Sequence, residues 1–183
     1  AAADSVAAVG VQVVDSRADF VAVTADKPVV KEVQAAVVKL GEAKQAELAK
    51  IESAGLDAVV EAEVKAVLDA VYAKAVQNVA ASEPANVNTV ADKASSDMGL
   101  VVAKALAVAV VEKAAGEKLA AIDDSAAGEA EKAVAKAIVQ QQLTDAKQQI
   151  ADSEDAARAV EVKDTAVSLI SEVDPVSAVI KVK

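Results

Sequence analysis

Apolar residues recur at intervals of three and four along most of this chain, which is the spacing of one face of an α-helix. Four long segments follow that pattern, and a shorter one comes after them. The segments are 27–54, 56–81, 89–115, about 126–151, and a last one that ends near 173. The pattern therefore predicts a bundle of about five helices.

Each predicted helix carries one stripe of apolar residues that we expect to face the interior. The stripes are Val30, Val33, Val37 and Leu40; Val60, Val64, Val67, Val71 and Ala75; Val90, Ala94, Met98, Val101, Ala105 and Val108; Ala135, Val139, Leu143, Ala146 and Ile150; and Val160, Val167 and Ile170. Nearly all of these side chains are small, so the helices must approach closely to fill the core.

Start and stop signals support these boundaries. Asp26 is suited to cap the first helix, Pro28 fits its first turn, and Gly55 is a plausible end. Pro84 interrupts the chain between the second and third helices, and Asp174-Pro175 ends the last one. Capping side chains are predicted for the later helices at Thr89, at Asp124 or Ser125, and at Asp152 or Ser153.

The most apolar stretch is "MGLVVAKALAVAVVEK", residues 98–113, in which Lys104 is the only charged residue between Met98 and Val111. A transmembrane helix needs about 20 apolar residues, and this stretch is shorter. We therefore expect no membrane span here. The stretch is predicted to be the centre of the core, with Lys104 reaching the edge through its long side chain.

The sequence pattern does not decide the secondary structure of the two terminal segments. Residues 9–25 fit either a hairpin around "DSRAD" or a helix with Val6, Val9, Val13 and Phe20 on one face, and we prefer the helix. Residues 176–183, "VSAVIKVK", alternate as a strand does. The prediction is thus one all-α domain over 1–183, with uncertain segments 1–26 and 174–183. The alternative is an α+β fold with a small sheet built from the termini.

Composition excludes several classes of partner. The formal net charge is −10, whereas nucleic-acid binding requires a cationic face. The same charge opposes electrostatic docking on anionic lipid. Arg17 and Arg158 are the only arginines, so the chain has few of the side chains that bind phosphate or carboxylate groups most specifically. The compartment is left open.

The chain contains neither His nor Cys, which removes Ser-His-Asp chemistry and the usual zinc, haem and di-iron sites. Glu61 and Glu63 lie about 200° apart on a helix, so these carboxylates do not converge. Residues 123–134 faintly resemble an EF-hand loop because Gly128 occupies position six, but the match fails at Ala127 and Val134, where ligands are required. We therefore expect no enzyme and predict no catalytic, cofactor-binding or metal-ligating residue.

Three interpretations of function remain. The first is a non-catalytic structural or protein-interaction bundle that binds itself or the helices of a partner. The second is an amphipathic bundle that binds a lipid or another surface. The third is an artificial or provisionally assigned sequence without a biological function, which the absence of His, Cys and Trp favours. The first is preferred.

Overall fold

A computed structural model describes residues 10–14, 16–21 and 28–175 of the chain. Five α-helices account for most of them: α1 Pro28–Ser53, α2 Ala58–Ala80, α3 Val87–Asp124, α4 Glu129–Ala151 and α5 Ala156–Ser171. A short 3₁₀ turn, Pro84–Asn86, leads directly into α3. The predicted all-α bundle of about five helices is confirmed.

The N-terminal segment differs from the preferred prediction. Strands β1 Gly10–Val14 and β2 Ser16–Val21 pair antiparallel, with Gly10 opposite Val21 and an irregular register at Val11 and Gln12. The helix preferred for residues 9–25 is therefore wrong over residues 10–14 and 16–21, where the hairpin alternative is correct, and the rest of that range lies outside the described residues. Alternating Val residues fit a strand as well as a helix face, which is why periodicity alone did not decide. The strand predicted for 176–183 lies outside the described residues.

Contacts divide the chain into two compact units. The first comprises Ala1–Ala46 and Asp69–Met98, and the second comprises Glu47–Leu68 and Gly99–Lys183. Helices α1, α2 and α3 each contribute residues to both units. The expectation of a single domain over 1–183 stays a prediction.

The first unit has a core of small side chains from α1, α2 and α3. Its buried apolar residues are Val33, Ala36, Leu40, Ala75, Val79, Val87, Ala91, Ala94 and Met98. Lys44 lies over the ring of Tyr72, 4.8 Å from the centroid, and pairs with Asp69 at 2.7 Å. Of the predicted α1 stripe, Val33 and Leu40 are buried as predicted, Val37 is only half-buried, and the side chain of Val30 lies outside the described part.

The second unit contains the larger cluster, built by α3, α4 and α5. Its members are Ala107, Val111, Ala115, Ile122, Ala135, Val139, Ala146, Ile150, Ala159, Val162, Ala166 and Ile170. On α4 the predicted stripe is confirmed, since all its members are buried except Leu143, which packs against the cluster. On α5 the prediction of Val160 as inward is wrong: that side chain is 45% exposed, and Ala159 and Val162 are buried in its place.

The end of α1 agrees with the prediction, whereas the ends of later helices differ; Asp26, predicted to cap α1, lies outside the described residues. Gly55 has a positive φ of 69°, as the end of α1 requires. Helix α3 continues through the glycine at 116 to Asp124, and α4 begins only after Gly128, whose N–H donates to the Glu131 carboxylate at 2.8 Å. Asp155 caps α5 by accepting from the Arg158 N–H at 2.8 Å.

The predicted caps are therefore wrong at every later helix. Asp124 is the last residue of α3, Ser125 lies in the loop before α4, and Thr89 lies inside α3. Asp152 is the C-cap of α4 and Ser153 is buried, with its hydroxyl donating to the Gln149 carbonyl at 2.9 Å. Capping side chains occur at both ends of a short loop, so the sequence alone offered several equivalent boundaries.

Lysines from neighbouring helices complete the C-terminal ends of three helices in the second unit. Lys104 donates to the carbonyl of Ala151 at 2.8 Å, and Lys132 donates to the carbonyl of Asp123 at 2.9 Å. Lys118 donates to the carbonyls of Ser171 at 2.9 Å and Val173 at 3.2 Å. The last carbonyls of a helix have no intrahelical donor and carry partial negative charge, so an ammonium group is a favourable partner there.

Candidate binding groove

An apolar groove of about 470 Å³ runs along the second unit between α2, α3 and α4. We call it the valine groove. Its lining residues are Val60, Glu63, Val64 and Val67 of α2; Lys104, Ala105, Val108, Ala109 and Glu112 of α3; and Lys147, Ile150 and Ala151 of α4. All of them belong to the second unit.

The floor of the valine groove is closed and its upper edge is open. Val64, Ala109 and Ile150 are buried, with exposed fractions of 6%, 9% and 0%. Ala105 and Val108 are half-buried, and Val67 on the α2 edge is 44% exposed. The groove therefore exposes a continuous apolar surface to water.

The groove exists because the side chains that line it are short. Alanine occupies positions 105, 109 and 151, where a larger residue would fill the space between the helices. Val60, Val64 and Val67 lie three and four residues apart, so they form one stripe of α2 that extends over about 10 Å. Small residues on α3 and α4 leave that stripe partly uncovered.

Charged side chains occur only at the rim. Glu112 and Lys147 form an ion pair at 2.6 Å, which neutralises both charges. Lys104 donates to the Ala151 carbonyl, eight residues or about 12 Å along α3 from that pair. Glu63 is exposed and forms no ion pair or hydrogen bond within residues 28–175. One ammonium and one carboxylate at the rim are thus without a charged partner.

The groove corrects the prediction for residues 98–111. Met98, Val102 and Val111 are buried, but Val101, Ala105 and Val108, expected in the core, are only half-buried. The predicted α2 stripe is also partly wrong, because Val67 is exposed and Leu68 is buried in its place. Lys104 does reach the edge, as expected.

Helix α3 is apolar but incompletely covered. By length and composition alone, the helical stretch Pro84–Asp124 is able to cross a membrane: an 18-residue window has a mean hydropathy of 1.7, and 28% of that window is buried. The core helix of a soluble protein passes the same test, although such a helix is mostly buried. The expectation of no membrane span stays a prediction.

Two buried polar oxygens lie outside the groove. Glu47 is 8% exposed; one of its carboxylate oxygens accepts from Lys50 at 2.9 Å, and the other has no hydrogen-bond partner among the described residues. The amide oxygen of Gln142 is likewise buried and unpartnered, beside a cleft of about 250 Å³ between α4 and α5. Ordered water commonly satisfies such isolated acceptors.

Ion pairs with carboxylates raise the pKa of two lysines, Lys65 and Lys136. The pKa of Lys65 is raised above its ordinary value of 10.5, chiefly by the hydrogen bond that Lys65 donates to Glu61 and secondly by the one that it donates to Glu52. The hydrogen bond that Lys136 donates to Asp123 raises the pKa of Lys136 in the same way. The pairing of Glu61 with Lys65 at 2.9 Å is the expected contact between residues four apart on a helix.

Within residues 28–175 no group of three or more acidic side chains is arranged to hold a metal ion. Comparison with protein-family models, with curated proteins and with solved structures returned no match for this chain. We take the valine groove of about 470 Å³ as the candidate site, ahead of the smaller cleft between α4 and α5.

The sequence named none of these residues as a site. Val60, Val64, Val67, Ala105, Val108 and Ile150 were all assigned to core stripes. The usable signal was the width of the apolar surface on α3, which carries a second stripe of Val102, Leu106 and Val110 beside the first. So wide an apolar surface is buried only if other helices pack against it on several sides, and a face without a neighbouring helix stays exposed to water.

Proposed function

We propose that this chain is a non-catalytic binding protein that takes an acyl chain or a similar apolar ligand in the valine groove. The observation that carries this proposal is a concave surface of about 470 Å³ with a floor of Val, Ala and Ile side chains and charges only at the rim. Ligand pockets of about 300–1,000 Å³ with mostly apolar walls and few polar groups are typical of small-molecule sites.

The energetics of this groove favour a hydrocarbon ligand. Burial of apolar surface contributes about 25 cal/mol per Å², or about 0.8 kcal/mol for each methylene group removed from water. The floor offers no hydrogen-bonding side chain that would have to exchange water for the ligand. An acyl chain thus gains burial without desolvating a polar group.

A catalytic role has little support in the groove. Its titratable groups are Glu63, Lys104, Glu112 and Lys147, and the last two are already paired with each other. It contains no Ser, Thr, Tyr or other hydroxyl side chain, so a hydroxyl nucleophile next to a general base is not available there. We therefore propose binding without chemistry.

Titration of the protein with dodecanol tests this function, because that ligand has an acyl-like chain and no charge. Val67→Asp places a carboxylate on the open edge of the groove and is expected to weaken binding at least ten-fold, since the ligand would have to desolvate that charge. The matched control is Val38→Asp in the first unit, where valine is 62% exposed and lies away from the groove lining.

Saturable binding to the wild type that Val67→Asp weakens and Val38→Asp does not would support the proposal. Absence of saturable binding, or equal loss in both variants, would refute it. Far-ultraviolet circular dichroism of each variant confirms that helix content is retained. Both substitutions replace an exposed valine on a helix surface, so their effects on folding are comparable.

Association with a protein is the second candidate, and the exposed valines of α2 favour it. Val59 is 71% exposed and Val67 is 44% exposed, and an amphipathic helix of a partner or of a second copy is able to cover such residues. A stable interface buries about 1,200–2,000 Å², far more than a groove of this size provides, so we rank this candidate below a lipid ligand.

Light scattering after gel filtration, with and without phospholipid vesicles, separates the two candidates. A stable dimer in the absence of lipid that Val67→Asp converts to a monomer would favour protein association. A monomer that binds dodecanol would favour the lipid-class ligand.

A further inference from the structure

We propose that the ligand of the valine groove is a single-chain amphiphile with a carboxylate head group, and that Lys104 binds that carboxylate. This inference rests on the proposed function and adds the chemical class of the head group. It combines the apolar floor described above with the one ammonium group of the rim that has no carboxylate partner within residues 28–175.

Lys104 has the geometry of an anion site beside an apolar surface. Its ammonium group donates to the Ala151 carbonyl at 2.8 Å, which holds the side chain along the end of α4. An ammonium group has three N–H donors, so two remain for a ligand. Lys104 itself lines the groove, and its positive charge there is not neutralised by Glu or Asp.

The other rim charges do not compete for the same role. Lys147 is paired with Glu112 at 2.6 Å, and an incoming carboxylate would first have to displace that partner. Glu63 carries an unpaired negative charge that opposes an anionic ligand. Because Glu63 is exposed, water and salt screen much of its repulsion, and its removal is expected to strengthen binding.

A free single-chain ligand fits better than a phospholipid bilayer. The chain has a net charge of −10, which repels an anionic membrane surface as a whole. A monomeric carboxylate meets mainly the local field of the rim, where Lys104 attracts it and the exposed Glu63 opposes it weakly. The groove also has one cation without a carboxylate partner within residues 28–175, Lys104, and its α2 stripe extends over about 10 Å. That arrangement matches one head group and one chain.

Comparison of dodecanoate with dodecanol on the wild-type protein is the primary test, because it requires no variant. Both ligands have the same chain, so burial in the groove is equal, and only the head group differs. We expect dodecanoate to bind about ten-fold more tightly at neutral pH and low salt, since its carboxylate forms an ion pair with the Lys104 ammonium and the uncharged hydroxyl of dodecanol does not. The preference should shrink as salt is added.

Three variants locate the head group. Lys104→Gln removes the positive charge but keeps an N–H donor for the Ala151 carbonyl, and it is expected to abolish the preference for dodecanoate while dodecanol binding is retained. Lys113→Gln, on an exposed position of α3 outside the groove lining, is the control and should leave the preference unchanged. Glu63→Gln should increase affinity for dodecanoate by a few-fold.

The outcomes separate this inference from the proposed function. Equal binding of dodecanoate and dodecanol, or equal loss of preference in the Lys104 and Lys113 variants, would overturn the carboxylate assignment and leave the acyl-chain function standing. Binding of neither ligand would overturn both. Binding to anionic phospholipid vesicles without binding of monomeric dodecanoate would show that the source of the ligand is a membrane and would also overturn the inference.

Discussion

Two sides of helix α3 are both formed by Ala and Val but differ in how deeply their side chains are buried. On one side Ala107, Val111 and Ala115 are buried against α4 and α5, each with an exposed fraction of 3% or less. On the other side Ala105 lines the valine groove and is half-buried, as is Val108, which touches both the groove and the cluster. One helix therefore carries a closed core and an open surface.

This comparison shows that burial on α3 is decided by how completely neighbouring helices pack over a residue, and not by how hydrophobic that residue is. Alanine and valine occur on both sides, so transfer free energy per residue is nearly equal. On the closed side, α4 and α5 contribute apolar side chains that meet those of α3. On the open side, α2 and α4 contribute valine and alanine that stop short of filling the space.

The largest expected effect on the free energy of unfolding comes from a charge introduced on the closed side of α3, compared with the same charge on its open side. Ala107→Asp puts an unpaired carboxylate in the closed core and should cost several kcal/mol, out of a total stability of about 5–15 kcal/mol. Ala105→Asp reaches the open groove, where water hydrates the charge, and should cost about 1 kcal/mol. Chemical denaturation followed by circular dichroism measures both changes.

Ala62→Asp is the reference for that experiment, because this alanine is exposed on α2. Its stability should stay close to that of the wild type. If Ala105→Asp destabilised the protein as strongly as Ala107→Asp, the groove side would be part of the closed core and the distinction would fail.

Removal of methyl groups at two adjacent positions of α3 gives a smaller effect. Val111 is fully buried and Val110 is 37% exposed. Val111→Ala should destabilise the protein by about 2 kcal/mol, because it removes buried methyls and leaves a cavity. Val110→Ala should change stability by less than about 0.5 kcal/mol, since the higher helix propensity of alanine offsets the lost contact. Equal unfolding midpoints for the two variants would contradict the assigned faces of α3.

The lysine that completes the end of α5 should have an effect of about 1 kcal/mol. Lys118→Met keeps the apolar stem but loses the hydrogen bonds to the Ser171 and Val173 carbonyls. Amide hydrogen exchange should accelerate in the last turn of α5 and remain unchanged in α4. Lys113→Met is the control, and an identical exchange pattern in both variants would show that the contact does not stabilise α5.

The smallest effect concerns the pH dependence of α2. Hydrogen bonds to Glu61 and then Glu52 raise the pKa of Lys65 in the folded chain above 10.5. A raised folded pKa means that the stabilisation is fully present below the unfolded pKa of about 10.4 and is lost as pH rises through the folded value. Lys65→Met should thus be slightly less stable than the wild type at neutral pH.

That difference should disappear in alkaline solution, above the folded pKa of Lys65. Because the pair is solvent-exposed, salt should reduce the effect at neutral pH as well. A stability difference that is constant from neutral to strongly alkaline pH would show that the methionine acts through packing and not through the lost charge.

Much of the helical architecture was predictable from the sequence. The spacing of apolar residues located α1 over 27–54 against the observed Pro28–Ser53, and α2 over 56–81 against Ala58–Ala80. Pro28 and Gly55 marked helix ends through backbone conformations that only a few residues favour. On α4 Ala135, Val139, Ala146 and Ile150 of the predicted stripe are buried, and Val134, Ile138 and Leu143 pack beside them against the same cluster.

The binding groove was not predictable in the same way. Periodicity identifies which residues share a face of a helix, but it does not reveal how many neighbours cover that face. On α3 apolar residues occupy most of the circumference, so the pattern was compatible with complete burial of Ala105 and Val108. Only the positions of α2 and α4 left those residues half-buried.

The sequence by itself determined that the chain forms amphipathic helices, that it lacks imidazole and thiolate groups, and that its formal net charge is −10. The tertiary structure alone decided the N-terminal hairpin, the caps at Gly128 and Asp155, and the open side of α3. The physical reason is that helix formation follows local propensity and spacing, whereas a groove is the space left between side chains that are distant in the sequence.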